Sequence, residues 1–560
     1  MQGRALYFFV IILPGIYFCI LLHLPLFNAG GYGTDLPQNL LAWIIALIMV
    51  AGIWLFLPVR RLRLSVPFIL ILAGAILLSL PILWTPQDVW MQARLPSLAG
   101  LWGGVLMYFT LLQCRISQKH CQWLMTLIVL SATVEGGIVL LDMFAGGLPF
   151  SFTQDLLSIN GRRAFGTFQQ MNVTASFLAT GLVVCLLLLV RPERITRSGR
   201  GDIVIALCLQ VLSATLVLLQ SRTGWAGAGA GYLLVCGLLW QQGYLSSGQR
   251  ALLLLCPLPG VVVGIALLHL PGVPFVDHSE SSFQRWLTLR ATWNMIQMAP
   301  VQGWGAGSFG YTFQHWMAGM QGSNPGRELM LHPHNEILYQ WMEGGLVALL
   351  GCLMVVAAGV SIIRNSRASR VQAGWVALLP VIIHTQTEFP LYYSAAHVLT
   401  LVLLLVCVDT GQTVTVRLRP QGYRFQAGKM VVFLVCAYFI GLLGQTLNDG
   451  FMLSRYESKV PGSVAQMQAL PGVTWLLQSR YEYDKNTLLL AEFNISRDPA
   501  LLRRFLSQNA RWMQYRISPD AVYNQILVQK FLSRDEEGLR GFYEAGRLFP
   551  WDPRFGHRSP

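Results

Sequence analysis

The stretch Ala5-Leu-Tyr-Phe-Phe-Val-Ile-Ile-Leu-Pro-Gly-Ile-Tyr-Phe-Cys-Ile-Leu-Leu-His-Leu-Pro-Leu26 runs without a single Asp, Glu, Lys or Arg. A helix of that length rises far enough to cross a hydrocarbon core about 30 Å thick. It is too long for the apolar region of a signal peptide and lacks a small-residue cleavage site, which predicts a retained span. Similar runs recur along the 560 residues, of which 54% are hydrophobic and 12% charged. A soluble chain averages about a quarter charged. The composition therefore predicts an all-α polytopic membrane protein. Thirteen spans are expected, at about 5–26, 39–57, 66–83, 97–112, 121–144, 169–190, 203–220, 223–240, 250–270, 338–362, 372–386, 393–409 and 430–448.

Arginine and lysine set the expected orientation, because they accumulate in cytoplasmic loops. With the N-terminus inside, the inner loops hold Arg4, Arg60, Arg61, Arg63, Arg115, Lys119, Arg191, Arg194, Arg197, Arg200, Arg250, Arg364, Arg367, Arg370, Arg417, Arg419, Arg424 and Lys429. The outer loops hold only Arg94, Arg162, Arg163, Arg222, Arg285, Arg290 and Arg327. Most of the +14 net charge is thus a topology signal and carries no expectation of nucleic acid. The ten cysteines fall in spans or at inner edges, where they serve as small apolar residues.

The few outer arginines need another explanation. Arg94 stands alone and reads as an interfacial anchor. Arg162 and Arg163 precede a Gly166 turn and the amides Gln169, Gln170 and Asn172 at the entrance to a span, which suits a polar site lining. Arg222 lies in the tight turn Gln220-Ser-Arg-Thr-Gly224 at membrane depth, where a charge faces a water-filled cavity or an anion. Behind it Gly224, Gly227, Gly229 and Gly231 offer a small-residue face for helix contact. Glu135 and Asp142, inside a span, either pair with an arginine or reach the interface.

The large outer loop 271–336 carries Arg285, Arg290 and a Gly305–Gly310 match to G-x-G-x-x-G. No strand precedes that match, so it does not predict a dinucleotide site. Residues Phe283 to Met298 show an apolar face at helical spacing and are expected along the membrane surface. The loop ends in His332-Pro-His-Asn-Glu336. Histidine alone exchanges a proton near neutrality without perturbation, and Asn335 and Glu336 can cap the following helix or orient an imidazole. A plain helix start and a zinc site are the alternatives for this stretch. His384, Glu388, Tyr392 and Tyr393 follow at another span end, broken by Thr385-Gln-Thr-Glu-Phe-Pro390; broken helices at depth line cavities.

Residues 1–448 form the expected membrane domain and 449–560 a soluble helical domain outside. Asp520 to Pro553 fits one helix pair of tetratricopeptide length, about 34 residues. Outer arginines without matching acids suit a phosphate, since the planar guanidinium binds its oxygens in pairs. A lipid diphosphate carrying a sugar would make the site a glycosyltransferase, with arginines holding the leaving group and a histidine taking the hydroxyl proton.

Arg163-Ala-Phe-Gly166-Thr-Phe168-x-x-x-Asn172, Ser221-Arg222-Thr-Gly224, Arg285 with Pro300-x-x-Gly303-x-Gly305-x-Gly307-x-Phe309, and His332-x-His334-Asn335-Glu336 together resemble the O-antigen ligase and polymerase superfamily. Thr385-Gln-Thr-Glu388-Phe-Pro390-Leu-Tyr392-Tyr393 and the tail resemble its bacterial protein O-oligosaccharyltransferases, which glycosylate pilins. The resemblance implies an inner-membrane enzyme acting at the periplasmic face. Its donor would be an undecaprenyl-diphosphate-linked glycan and its acceptor an exported, pilin-like protein, with no metal and no cofactor. It implies that His334 is the essential histidine. The chemistry then assigns catalysis to His334, with Glu388 or Glu336 as the partner orienting its ring, and donor binding to Arg163, Arg222, Arg285, Gln170 and Asn172. His332, Asn335, Glu336, Tyr392 and Tyr393 would support the site. A lipid A-core ligase or glycan polymerase shares the donor, and a lipid-phosphate or polysaccharide transporter is a third reading.

Overall fold

A computed structural model of the chain describes residues 2–56, 61–114, 116–189, 200–241, 247–320, 324–365, 374–411, 413–417, 422–532 and 535–555. The expected inner-loop residues Arg60, Arg115, Arg191, Arg194, Arg197, Arg367, Arg370 and Arg419 lie outside the described residues. Among those described, eight helices are long and apolar enough to cross a membrane: Arg4–His23, Pro37–Phe56, Val66–Trp84, Asp88–Gln113, Gln118–Phe144, Met171–Leu189, Glu336–Arg364 and Phe425–Glu457. The other five expected spans fall on weaker segments. Ile203–Leu218, Leu253–Leu268, Gly374–Thr385 and Ala395–Val408 are apolar but shorter, and Arg222–Gln241 is diluted by glycine.

The chain is mainly helical but not wholly so. Strands β1 (Arg61–Ser65) and β2 (Thr413–Arg417) pair antiparallel, with Arg61 opposite Arg417 and Ser65 opposite Thr413. Arg-Leu-Arg-Leu-Ser and Thr-Val-Thr-Val-Arg both alternate with period two, which suits a ribbon with one apolar face. The Gln113 side chain donates to Arg63 O and accepts from its N–H. Asp409 accepts from Ser65 Oγ and, at 2.6 Å, from the Tyr108 hydroxyl.

Two compact units divide the chain. The first contains Met1–Leu72, Gly100–Val276 and Met354–Asn448. Its centre is Met171–Leu189, a helix apolar on every side with only four residues outside the buried set, as expected of a helix surrounded by others. Gly224, Gly227 and Gly231 lie on one face of Arg222–Gln241. Cβ atoms there would come within 2.6 Å of Ala175, 2.9 Å of Pro380 and 2.3 Å of Val183. Gly229 lies off that face, with nothing within 4 Å of a Cβ.

The second unit contains Ala73–Ala99, Asp277–Leu353 and Asp449–Pro560. The expected tail therefore shares a unit with the 277–336 loop and the end of one span. Gln314 Nε2 and Asn324 Nδ2 donate to Leu548 O, Arg547 Nη2 donates to Ala318 O, and Trp90 Nε1 donates to Gln514 O. Within the tail, Gln478–Ser496 pairs with Pro499–Trp512 around Phe493, Leu502 and Phe505. Pro519–Phe531 pairs with Asp535–Leu548 around Ile526, Ala545 and Phe549. The expected surface segment 283–298 lies in the helix Ser279–Met298, whose Leu287, Ala291 and Met295 bury against Phe309, Phe313 and Met342.

Candidate active site

In the first unit the polar groups of four separated segments meet. The loop before Met171–Leu189 is held by the two acids expected to pair with arginine or reach the interface. Among the described residues neither pairs with an arginine: Asp142 accepts the N–H groups of Phe165 and Gly166, and Glu135 accepts the Thr167 N–H and hydroxyl. His23 Nδ1 lies 3.2 Å from the same Glu135. Gly166 is required here, because its φ is +65° and a Cβ would fall 2.0 Å from Glu135 Oε1. The loop so pinned carries Arg163, half-buried. Among the described residues no acid stands within ion-pair distance of its guanidinium.

Beyond the loop, Gln170 Nε2 (3.0 Å) and Asn172 Nδ2 (2.5 Å) donate to Glu388, and His384 Nε2 lies 3.2 Å from it. Asn172 Oδ1 accepts from Ser221 Oγ at 2.6 Å, and Ser221 Oγ in turn accepts the Gly224 N–H. Asn172 thus ties Glu388 to the residue that caps the Arg222–Gln241 helix. The Arg222 side chain itself is exposed, between buried Ser221 and Thr223. His384 Nδ1 lies 2.7 Å from Ser176 Oγ, and His397 Nε2 lies 2.9 Å from the same oxygen. His384, Ser176 and His397 are buried. Sequence reasoning missed Ser176 and His397; a histidine inside the apolar run Ala395–Val408 was the available signal.

Glu388 was expected to assist catalysis. The residue is 5% exposed, and its carboxylate accepts from two amides with the His384 ring beside it, so it ties these segments together. Tyr393 stacks on Tyr32 at 5.3 Å, and its carbonyl accepts from Asn39 Nδ2. It holds the 28–39 loop in place. The Tyr392 carbonyl approaches Gly33, where a Cβ would lie 3.0 Å away.

In the second unit the histidine stretch sits at the start of Glu336–Asn365. Asn335 Oδ1 accepts the Leu338 N–H at 3.0 Å, the capping role expected of it. His334 is half-buried with a left-handed φ of +60°. His332 is buried, 4% exposed, and its Nδ1 accepts the His334 N–H at 3.0 Å. Its Nε2 lies 3.4 Å from Glu336 Oε2. Glu336 Oε1 accepts from Gln340 Nε2 at 2.7 Å, and Gln340 Oε1 accepts from Arg94 Nη2 at 2.6 Å. Arg94 Nη1 stands 3.5 Å from Glu343, with the guanidinium 5.7 Å from the Tyr339 ring centroid. Arg94 is therefore no isolated anchor; it is buried in an ion pair. A lone basic residue in an outer loop gives no hint of a partner far along the chain.

The glycine-rich loop is structural. The Glu336–Asn365 helix breaks at Gly345, φ +63°, where Leu346 N–H donates to Val301 O. Trp304 and Gly305 N–H groups donate to the Met342 and Glu343 carbonyls, and Phe309 N–H donates to Glu343 Oε1. The loop backbone thus supplies the bonds a broken helix loses. Arg285 is half-buried on Ser279–Met298. Partial burial pushes the nearby Glu328 carboxyl up, and Arg285 opposes that shift. Among the described residues no three His, Cys, Asp or Glu side chains gather in a group that could hold a metal ion.

These features define a polytopic helical membrane protein with arginines, amides and histidines at helix ends. Residues 206–353 match the family described as O-antigen ligase, and residues 372–559 match that described as virulence factor membrane-bound polymerase, C-terminal. The two matches support the O-antigen ligase and polymerase superfamily, and with it membrane glycosyl transfer. Arg222, Arg285 and His334 fall in the first match and Glu388 in the second; Arg163, Gln170 and Asn172 fall in neither. No curated protein matches the chain.

Proposed function

We propose that this chain transfers a glycan en bloc from undecaprenyl diphosphate to Ser or Thr hydroxyls of exported, pilin-like proteins at the periplasmic face of a bacterial inner membrane. The contrast between the two histidines carries the reading: His332 is buried with its Nδ1 committed to a backbone N–H, whereas His334 is only half-buried at the loop end. His334 takes the proton of the attacking hydroxyl. The new bond forms at the anomeric carbon as its bond to phosphate breaks, and the lipid diphosphate leaves with its charge held by Arg163, Arg222 and Arg285. A half-buried Arg163 with no acid beside it, on a loop fixed by two carboxylates, supports the phosphate role.

A second reading keeps the donor and replaces the protein by a sugar hydroxyl, making the chain a ligase or a glycan polymerase. The match over 372–559 favours it. Co-expression with a glycan locus and a candidate pilin, followed by intact-mass analysis of the pilin and of the lipopolysaccharide, distinguishes them. A glycan-sized mass gain on the pilin that disappears in His334→Ala is expected. A gain confined to lipopolysaccharide or to glycan length would overturn the protein-acceptor assignment.

A further inference from the structure

We infer that His332 is a positioning residue whose imidazole holds the left-handed backbone of His334, and that Arg94, through Gln340 and Glu336, holds that imidazole in turn. This rests on the reading of His334 as the base.

The proton inventory gives the first link. A backbone N–H can only donate, so the His332 Nδ1 that receives it, 3.0 Å away, carries the lone pair and the ring proton sits on Nε2. The one basic nitrogen of His332 is therefore occupied by the main chain of His334 and cannot take a proton from a hydroxyl without breaking that bond. What the bond stabilises is a non-glycine residue at φ +60°, a conformation that side chains adopt at a cost and that local hydrogen bonds support. Asn and Asp do this in Asx turns, where the side-chain oxygen accepts the N–H two residues on. His332 Nδ1 occupies the same place along the side chain as an Asn Oδ1, and Pro333 between them restricts the intervening φ.

The second link is the anchorage of the ring. Nε2 lies 3.4 Å from the Glu336 carboxylate, close but outside hydrogen-bond geometry, Glu336 is tied to Gln340, and Gln340 to the buried Arg94. The ring also lies against Tyr339, centroids 4.4 Å apart, beneath which Arg94 provides a cation–π contact. Two routes therefore run from one buried cation to the turn that carries His334. His332 touches no reacting atom in this scheme; it acts through the backbone of its neighbour.

The substitution His332→Asn separates the roles, since Asn restores the acceptor and removes the imidazole. Purified full-length protein is assayed with a lipid-linked glycan and an acceptor peptide. In parallel, carbethoxylation of His334 by diethyl pyrocarbonate is followed by peptide mass spectrometry. His332→Asn is expected to stay close to the parent in both. His332→Ala is expected to lose about 10²-fold in kcat, the scale of a small misplacement, with KM little changed and the His334 modification rate altered. Loss in His332→Asn as deep as in His332→Ala overturns the proposal, because the imidazole itself would then be required. Full activity in His332→Ala overturns it equally. If His332→Ala is not recovered folded, His332→Asn decides alone. A parent silent toward every lipid-linked glycan, with His334 modification still normal in His332→Asn and altered in His332→Ala, would sink the transferase reading and leave the turn assignment standing.

Discussion

At the scale of single residues, the two histidines and the arginines make separable predictions. General-base help is worth 10²–10⁴-fold, so His334→Ala is expected to lower the transfer rate by that range, with protein level and donor binding retained and no sensitivity to EDTA. Chelator sensitivity together with equal loss at His332 and His334 would point to a metal and remove the base assignment. Arg222→Lys keeps the charge but loses the paired donors, so most activity should go if Arg222 grips a diphosphate. Its comparison is Arg290→Lys on the exposed face of Ser279–Met298, where Arg290 lies 5.3 Å from the Trp286 ring centroid; activity there should be nearly unchanged. Arg94 cannot serve as that comparison. Removing its charge by Arg94→Met leaves Glu343 buried without its cation, which costs on the order of 3–5 kcal/mol, read as a lower melting temperature of the purified protein. Asn335 as a cap was legible in the sequence because capping is local. The Arg94–Glu343 pair was not, because 249 residues separate its members.

Among elements, the glycines divide by what their missing side chains admit. Gly227 and Gly229 stand two residues apart on one helix, yet a Cβ at the first meets the Pro380 backbone and at the second meets nothing. Gly227→Ala is therefore expected to cut the yield of folded protein, and Gly229→Ala to be tolerated or slightly stabilising. Fluorescence size-exclusion of the two variants is the check, and equal yields would remove the close-packing assignment. The sequence reading grouped all four glycines as one face, although at 3.6 residues per turn Gly229 falls well away from Gly224, Gly227 and Gly231, so the helical period itself held the distinction. It marked Gly305–Gly310 as a pattern without a nucleotide and could not see the broken helix that the loop repairs. Periodicity reads strands and helices; it does not read which carbonyls are left over.

For the whole molecule, orientation is the property most open to refutation. A reporter active only in the periplasm should be bright when fused after Arg327 or Tyr515 and dark after Arg197 or Arg367; a dark fusion after Tyr515 would put the tail on the wrong side for an exported acceptor. Apolar length and the arginine bias made the membrane character legible, because both follow from composition over twenty-residue windows. The unit that joins 73–99, 277–353 and 449–560 was not legible, since it depends on contacts among distant segments. The splice at Gly345 also bears on biosynthesis. A helix whose hydrogen bonds are all local can be finished as soon as it is threaded into the bilayer. Glu336–Asn365 cannot, because Val301, Trp304 and Gly305 must also seat against Leu346, Met342 and Glu343. Until they do, the backbone groups at the Gly345 break lack partners, so completing this one span waits on a segment outside it.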